Sequence, residues 1–209
     1  MGQGRRHYNL CKALYEILRA ACGPEHTVGA DQFVYFDAAD PRRCLAPDAF
    51  VTLGVRDHDF DSYLAWEEGT PELAFEVLSP SDTPERWPFA EKLLRYRALG
   101  VRELVTFDVD APSGQRLRIW DRLEHDLVER VVEGERTPCV TLGLTLLVGP
   151  ILVDGGQEYP AALRLAGGPE GDLVLTEAEG RAAEAAGRQR AEERIAELEK
   201  ELATRAPRT

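Results

Sequence analysis

The sequence lacks any run of eighteen apolar residues, which argues against a membrane-spanning helix. The longest apolar stretch, CVTLGLTLLVGPILV, is interrupted by Thr, Gly and Pro, so we expect it to complete a fold rather than cross a bilayer. The segment MGQGRRHYNL carries charges but no apolar centre, so we expect no signal peptide and no membrane partner.

Cysteine is scarce, and its four residues lie far apart along the chain: Cys11, Cys22, Cys44 and Cys139. No CxxC pair is present, which argues against a structural zinc site. The four histidines show no spacing typical of metal ligands, and no Ser-His-Asp arrangement is indicated. Thiols without partners fit a reducing compartment, so we predict a cytoplasmic protein.

Basic residues are in the minority, with 25 Lys and Arg against 37 Asp and Glu, giving a net charge of −12. Residues 177–209 carry eight acidic and seven basic side chains, so the negative charge belongs to the rest of the chain. An acidic surface repels a phosphate backbone. Composition alone therefore weighs against a nucleic-acid partner.

Apolar spacing predicts a first helix over residues 7–22, ended by Gly23 and Pro24. Strands are predicted over 26–37, 44–55, 72–78 and 102–110, a hairpin over 114–132, and a final strand or packed segment over 139–148. The polar residues 57–71 are predicted to form a solvated acidic loop. A second helix is predicted over 89–100, after a turn that Ser79 and Ser81 shape.

We predict one globular domain over residues 1–170 and a charged helical tail over 171–209. The tail is rich in Ala, Glu and Arg and should form one helix from about Glu177 to Arg205. Its apolar seam is short (Ile195, Leu198 and Leu202), so we expect at most a weak coiled coil, with weak or no dimerisation. The tail would then serve a partner protein or a homodimer, and the domain should fold without it.

A carboxylate stands inside the predicted strand ELAFEVL, at Glu76. Alternation places Ala74, Glu76 and Leu78 on one face of the strand. Glutamate is costly to bury unpaired. Either this face is solvated, or Glu76 has a partner such as a metal ion or a lysine.

The helix that follows carries Phe89, Lys92, Tyr96 and Leu99 on one stripe facing the core. Lys92 either extends its ammonium into solvent or points at a carboxylate, for which Asp48 and Glu76 are the candidates. Two carboxylates can hold a hard divalent cation, and a nearby lysine can steady a hydroxide nucleophile or the charge developing on phosphorus.

Four segments together resemble the Uma-two family of restriction-endonuclease-like proteins, within the PD-(D/E)XK nuclease superfamily. They are "PD" at 47–48, FEVLSPS at 75–81, Lys92 within EKLLRY, and GVRELVTFD at 100–108. The resemblance runs from about His7 to Val148. It implies an α/β fold with a restriction-endonuclease-like mixed β-sheet flanked by helices, to which the C-terminal helix is added.

The resemblance also implies a magnesium-dependent endodeoxyribonuclease, with Mn²⁺ as an alternative ion and DNA as substrate. Asp48 and Glu76 correspond to the metal ligands. The superfamily lysine would fall at Leu78, so its role is assigned to Lys92 on the neighbouring helix. The strand pair that family members usually carry before the first helix has no counterpart here, and His7 stands where the family often has a histidine.

Two competing functions come from other classes. The first is a catalytically silent nuclease-fold module that acts through its helical tail, which the acidic surface favours. The second is a hydrolase of sugars that uses a carboxylate pair and no metal.

Overall fold

A computed structural model describes residues 4–78, 89–168 and 171–205. The helices in these ranges are α1 (Arg5–Cys22), α2 (Ala65–Glu68), α3 (Phe89–Leu99) and α4 (Glu177–Arg205). The first strands are β1 (Thr27–Gly29), β2 (Phe33–Tyr35), β3 (Cys44–Leu45), β4 (Ala49–Thr52), β5 (Ser62–Leu64) and β6 (Leu73–Leu78). The later strands are β7 (Glu103–Asp108), β8 (Leu117–Leu123), β9 (Asp126–Arg130), β10 (Arg136–Cys139), β11 (Leu144–Val153) and β12 (Gln157–Ala166).

The main sheet has six strands in the order β1-β4-β6-β7-β8-β9. Strands β6 and β7 are parallel and are joined through α3, whereas the other neighbouring pairs are antiparallel. A parallel pair needs a crossover connection, which the helix supplies. The result is the mixed sheet flanked by helices that the sequence predicts.

Each face of the main sheet has its own apolar core. On one face α1 packs through Leu10, Leu14 and Ile17, together with the antiparallel sheet β10-β11-β12. On the other face α3 packs together with the small sheet β3-β2-β5. Because both faces are covered, the central strands β6 and β7 are almost wholly buried.

The expectation of a loop over residues 57–71 is wrong. This stretch contains β5 and α2, and Tyr63 is fully buried, donating a hydrogen bond to the Thr52 hydroxyl over 2.9 Å. Strand β5 forms because it pairs in parallel with β2, a partner about thirty residues earlier. Because acidic residues flank β5, the local sequence pattern gives no sign of a strand there.

The region after Val148 also differs from the sequence expectation. Strand β11 continues to Val153, and β12, which the sequence reading missed, pairs with it over almost its whole length. The pairing is irregular between Gly149 and Ile151. A Gly-Pro step inside an apolar run marks such an irregularity as readily as it marks the end of a strand.

The prediction of one C-terminal helix is confirmed by α4, whose first turn is tied to the second sheet. Arg164 of β12 is 1% exposed, and its guanidinium donates to both carboxylate oxygens of Glu179 over 2.6 and 2.8 Å. Farther along, Ile195 and Leu198 are exposed. The side chain of Leu202, and the predicted turn at Ser79 and Ser81, lie outside the described residues.

None of the helices in the described ranges is long and apolar enough to cross a membrane.

Candidate functional site

The candidate site lies where β4 begins, beside the middle of β6. These strands are antiparallel, with Ala49 opposite Phe75, so the register continued by one pair places Asp48 opposite Glu76. Helix α3 follows β6 in the chain and returns across the same face of the sheet. The topology thus brings one residue from each of three elements together.

Glu76 is the centre of this arrangement and is 4% exposed. The Lys92 ammonium donates to Glu76 Oε2 over 2.6 Å, and the Tyr96 hydroxyl donates to Glu76 Oε1. Lys92 and Tyr96 are four residues apart on α3 and therefore share one face of the helix. The predicted contact between Lys92 and Glu76 is confirmed, and the Lys92 side chain is only 20% exposed.

The charge on Glu76 is poorly stabilised despite these two donors. Burial is the largest influence and raises the pKa of its carboxyl, and the negative charge of Asp48 raises it further. The Lys92 ammonium and the hydrogen bonds act in the opposite direction, and the resulting pKa is about 7. A carboxyl shifted in this way, inside a cluster of charged groups, is typical of functional sites.

Asp48 is held by both the backbone and α1. Its Oδ2 accepts a hydrogen bond from the Val77 backbone N–H over 2.6 Å. Its Oδ1 lies 3.4 Å from His7 Nε2, and that nitrogen lies 3.3 Å from Cys11 Sγ. Both carboxylates, Asp48 and Glu76, are therefore fixed in position by contacts from the protein itself.

Cys11 is a neighbour of the site that the sequence did not predict, and His7 was noted only for its place in the family pattern. With Asp48 they form a group whose three ligand atoms all lie within 4.8 Å of one another. The spacing of His7 and Cys11, four residues apart on a helix, was available as a signal. Nothing local, however, connects α1 to a strand that begins forty residues later.

An open groove of about 660 Å³ lies on the neighbouring strands, and its lining includes Leu78, two residues after Glu76 on β6. It begins at Leu78 and passes Thr106 and Asp108 towards Arg116 and Arg118. These two arginines are paired with Glu135 and Glu129 respectively, so the groove is nearly charge-balanced.

The structure thus assembles the three residues predicted from the sequence, Asp48, Glu76 and Lys92, and adds Tyr96 and His7 to them. Chemically, the cluster offers two carboxylates for a cation, a lysine for an anionic or nucleophilic oxygen, and a tyrosine that orients one carboxylate.

Comparison with known proteins places this geometry in a family. A family model described as "Uma2: Putative restriction endonuclease" matches residues 1–149. A crystal structure described as "a putative nuclease belonging to DUF820" from Anabaena variabilis ATCC 29413 superposes with a TM-score of 0.50 at 14% identity, covering 68% of this chain and 76% of that one. This likeness shows a shared fold and confirms the predicted fold class. A search of curated proteins gave no match.

Proposed function

Because the chain belongs to the Uma-two family, we propose that it is an endonuclease that hydrolyses DNA phosphodiester bonds with a divalent metal ion, Mg²⁺ or Mn²⁺. The observation that carries this proposal is the buried cluster of Asp48, Glu76 and Lys92, in which Lys92 Nζ lies 2.6 Å from Glu76 Oε2.

The residues present fit a hard cation. Asp48 and Glu76 would hold it through carboxylate oxygens, the donors that Mg²⁺ and Mn²⁺ favour. Their mutual repulsion, which helps to raise the pKa of Glu76, is what a bound cation offsets. When bound, such an ion polarises the phosphodiester and lowers the pKa of a water ligand.

The protein's own groups then have separate tasks. Lys92 is placed to donate a hydrogen bond to the attacking water or to a phosphate oxygen on which negative charge develops. Tyr96 fixes the orientation of Glu76, and the Val77 N–H fixes that of Asp48. Both carboxylates are thereby held before substrate arrives, which lowers the cost of organising the transition state.

The groove beside the site is the proposed path of the DNA strand. Arg116 and Arg118 line it, and a phosphate would have to compete with Glu135 and Glu129 for them. The net charge of −12 opposes DNA approach, so we expect weak binding that depends on the metal ion.

A second candidate function is a catalytically silent binding or assembly module. The observation that favours it is that both oxygens of Glu76 accept hydrogen bonds from the protein itself, from Lys92 and Tyr96. In such a protein the exposed part of α4 would bind the partner.

Nicking of supercoiled plasmid separates the two functions. Wild type is incubated with Mg²⁺, with Mn²⁺ and with a chelator, beside Lys92→Ala and the matched control Lys12→Ala, whose lysine is 41% exposed on α1. We expect wild type to nick the plasmid only when metal is present. The nicking rate should fall about 10²- to 10³-fold in Lys92→Ala and should be unchanged in Lys12→Ala. Absence of nicking with either ion would favour the silent module.

A further inference from the structure

A second set of potential metal ligands lies on the α1 side of Asp48. His7 and Cys11 come from consecutive turns of α1, and Asp48 comes from the start of β4. All three residues are buried, at 6%, 5% and 8% exposure respectively. In the described part of the chain, this is the one group of three or more His, Cys, Asp and Glu side chains whose ligand atoms all lie within 4.8 Å of one another.

Two of the three separations among the ligand atoms match a tetrahedral zinc site, and the third, between Cys11 Sγ and the Asp48 carboxylate, is under 4.8 Å. Zinc binds nitrogen and oxygen at about 2.0–2.2 Å and thiolate sulfur at about 2.3 Å, so ligand atoms around one zinc ion lie roughly 3.3–3.7 Å apart. The His7 Nε2 to Asp48 Oδ1 distance is 3.4 Å, and the Cys11 Sγ to His7 Nε2 distance is 3.3 Å. Little movement of the side chains is therefore needed to admit the ion.

The donor types select against the ion proposed for catalysis. One imidazole, one thiol and one carboxylate suit zinc and similar transition metals, whereas Mg²⁺ prefers oxygen alone. Binding requires the Cys11 thiol to give its proton to solvent, which makes uptake of zinc release one proton. Three protein ligands leave the fourth tetrahedral position for a water molecule.

We propose that His7 Nε2, Cys11 Sγ and Asp48 Oδ1 form a zinc-binding site. Asp48 is a ligand in both proposed sites, and its Oδ2 is held by the Val77 N–H. Zinc bound here withdraws Asp48 from the catalytic cation and inhibits the enzyme. The zinc site stands on geometry alone, whereas the inhibition rests on the proposed nuclease function.

Zinc affinity tests the site without any activity measurement. Metal-free wild type, Cys11→Ser and His7→Gln are titrated with zinc against a chromophoric chelator, and Cys44→Ser is the matched control because Cys44 lies on β3, outside the group. We expect one zinc per wild-type chain, a loss of affinity of more than about 100-fold in Cys11→Ser and His7→Gln, and no change in Cys44→Ser.

Cobalt supplies a readout that identifies the ligand. With Co²⁺ in place of zinc, wild type and Cys44→Ser should show a thiolate-to-cobalt charge-transfer absorption band that Cys11→Ser lacks. If Cys11→Ser does not fold, the zinc affinity of His7→Gln tests in its place whether this group of residues binds zinc. Wild type that takes up no zinc at micromolar concentration, or variants that bind zinc as wild type does, overturn the site.

The inhibition is tested separately on plasmid nicking at fixed Mg²⁺. Zinc should inhibit wild type, and Cys11→Ser should require at least about tenfold more zinc for half inhibition relative to its own uninhibited rate. Zinc binding without any nicking under Mg²⁺ would remove the nuclease proposal and leave the zinc site. Nicking that saturating zinc does not slow would show that the two metals do not compete for Asp48.

Discussion

Two buried ion pairs in this protein look alike and serve different ends. Lys92 and Glu76 meet at 2.6 Å in the candidate site, and Arg164 and Glu179 meet at 2.6 Å where α4 joins the second sheet. The Glu179 carboxylate is fully provided with donors, since it also accepts from the backbone N–H groups of Leu152 and Thr176.

The pKa values of the two acids move in opposite directions. Burial alone raises the pKa of Glu179, but Arg164 and the backbone donors outweigh burial and hold it below its ordinary value. For Glu76, burial and the charge of Asp48 win over Lys92, and its pKa rises. One pair therefore stabilises its charged form as scaffolds do, whereas the other keeps an excess carboxylate that a cation would stabilise.

The largest effect is expected from removing the carboxylate of the Lys92–Glu76 pair, and we expect it on activity rather than on stability. For Glu76→Gln we expect plasmid nicking to drop by about 10³-fold, equal to about 4 kcal/mol of transition-state stabilisation. The free energy of unfolding should change by less than about 1 kcal/mol, because the amide oxygen still accepts from Tyr96 and the repulsion with Asp48 is lost. The Lys92 ammonium loses its carboxylate, but its side chain is 20% exposed, so unlike Arg164 it can turn to water.

Urea denaturation alongside the nicking assay checks both halves of this expectation. Glu72→Gln, on the same stretch of chain, is the control for activity. A Glu76→Gln protein destabilised by several kcal/mol would place this pair with the scaffold, beside Arg164 and Glu179.

Removing the carboxylate of the Arg164–Glu179 pair, which we call the scaffold pair, should instead reduce stability. Glu179→Gln leaves Arg164 as an uncompensated buried charge, which costs about 3 kcal/mol of unfolding free energy. Glu177→Gln, in the same helical turn with a side chain 73% exposed, should change stability by less than about 0.5 kcal/mol. Equal denaturation midpoints for the two variants would contradict the assignment.

The lowered pKa of Glu179 should also be visible in how the free energy of unfolding depends on pH. Because the folded-state pKa of Glu179 lies below its ordinary value of 4.5, its contribution is fully present above that pH and is lost as pH falls through the folded-state pKa. The stability gap between wild type and Glu179→Gln should therefore stay constant from pH 7 down to about pH 5.5 and narrow below pH 4.5. If the stability difference between wild type and Glu179→Gln grew as the pH fell, the pKa of Glu179 would not be lowered in the folded protein.

The smallest effect is expected from removing the exposed part of α4. A chain ending at Arg181 keeps the Arg164–Glu179 pair, so its unfolding free energy should match that of the full chain within about 0.5 kcal/mol. It should retain plasmid nicking, and both chains should sediment as monomers. A dimer that dissociates on truncation, with loss of nicking, would show that α4 builds the active assembly.

The same contacts bear on the predicted division at residue 170. A chain ending at Glu170 loses Glu179 and also the backbone bond from Val174 N–H to Leu165 O. We expect it to be destabilised by at least about 3 kcal/mol, as Glu179→Gln is. We therefore expect the domain proposed for residues 1–170 to need the first turn of α4 for full stability.

Local sequence pattern predicted the elements whose apolar spacing is continuous. Helices α1 and α3, strand β6 and the full span of α4 follow from residues that are neighbours in the chain. The stripe on α3 placed Lys92 on the face that packs on the sheet, because residues three or four apart share a helix face, but it left open whether the ammonium reaches solvent or a carboxylate. Side-chain spacing of this kind is a property of the sequence itself.

The contact of Asp48 with His7 and the pairing of Arg164 with Glu179 depend on the tertiary structure alone. Asp48 meets His7 across 41 residues, and β5 exists only through its pairing with β2. The sequence determined that Glu76 and Lys92 needed partners, because burying an unpaired charge is costly. Which partners they have depends on the register of the sheet and on how the helices pack against it. Contacts between distant segments are set by the packing of whole elements.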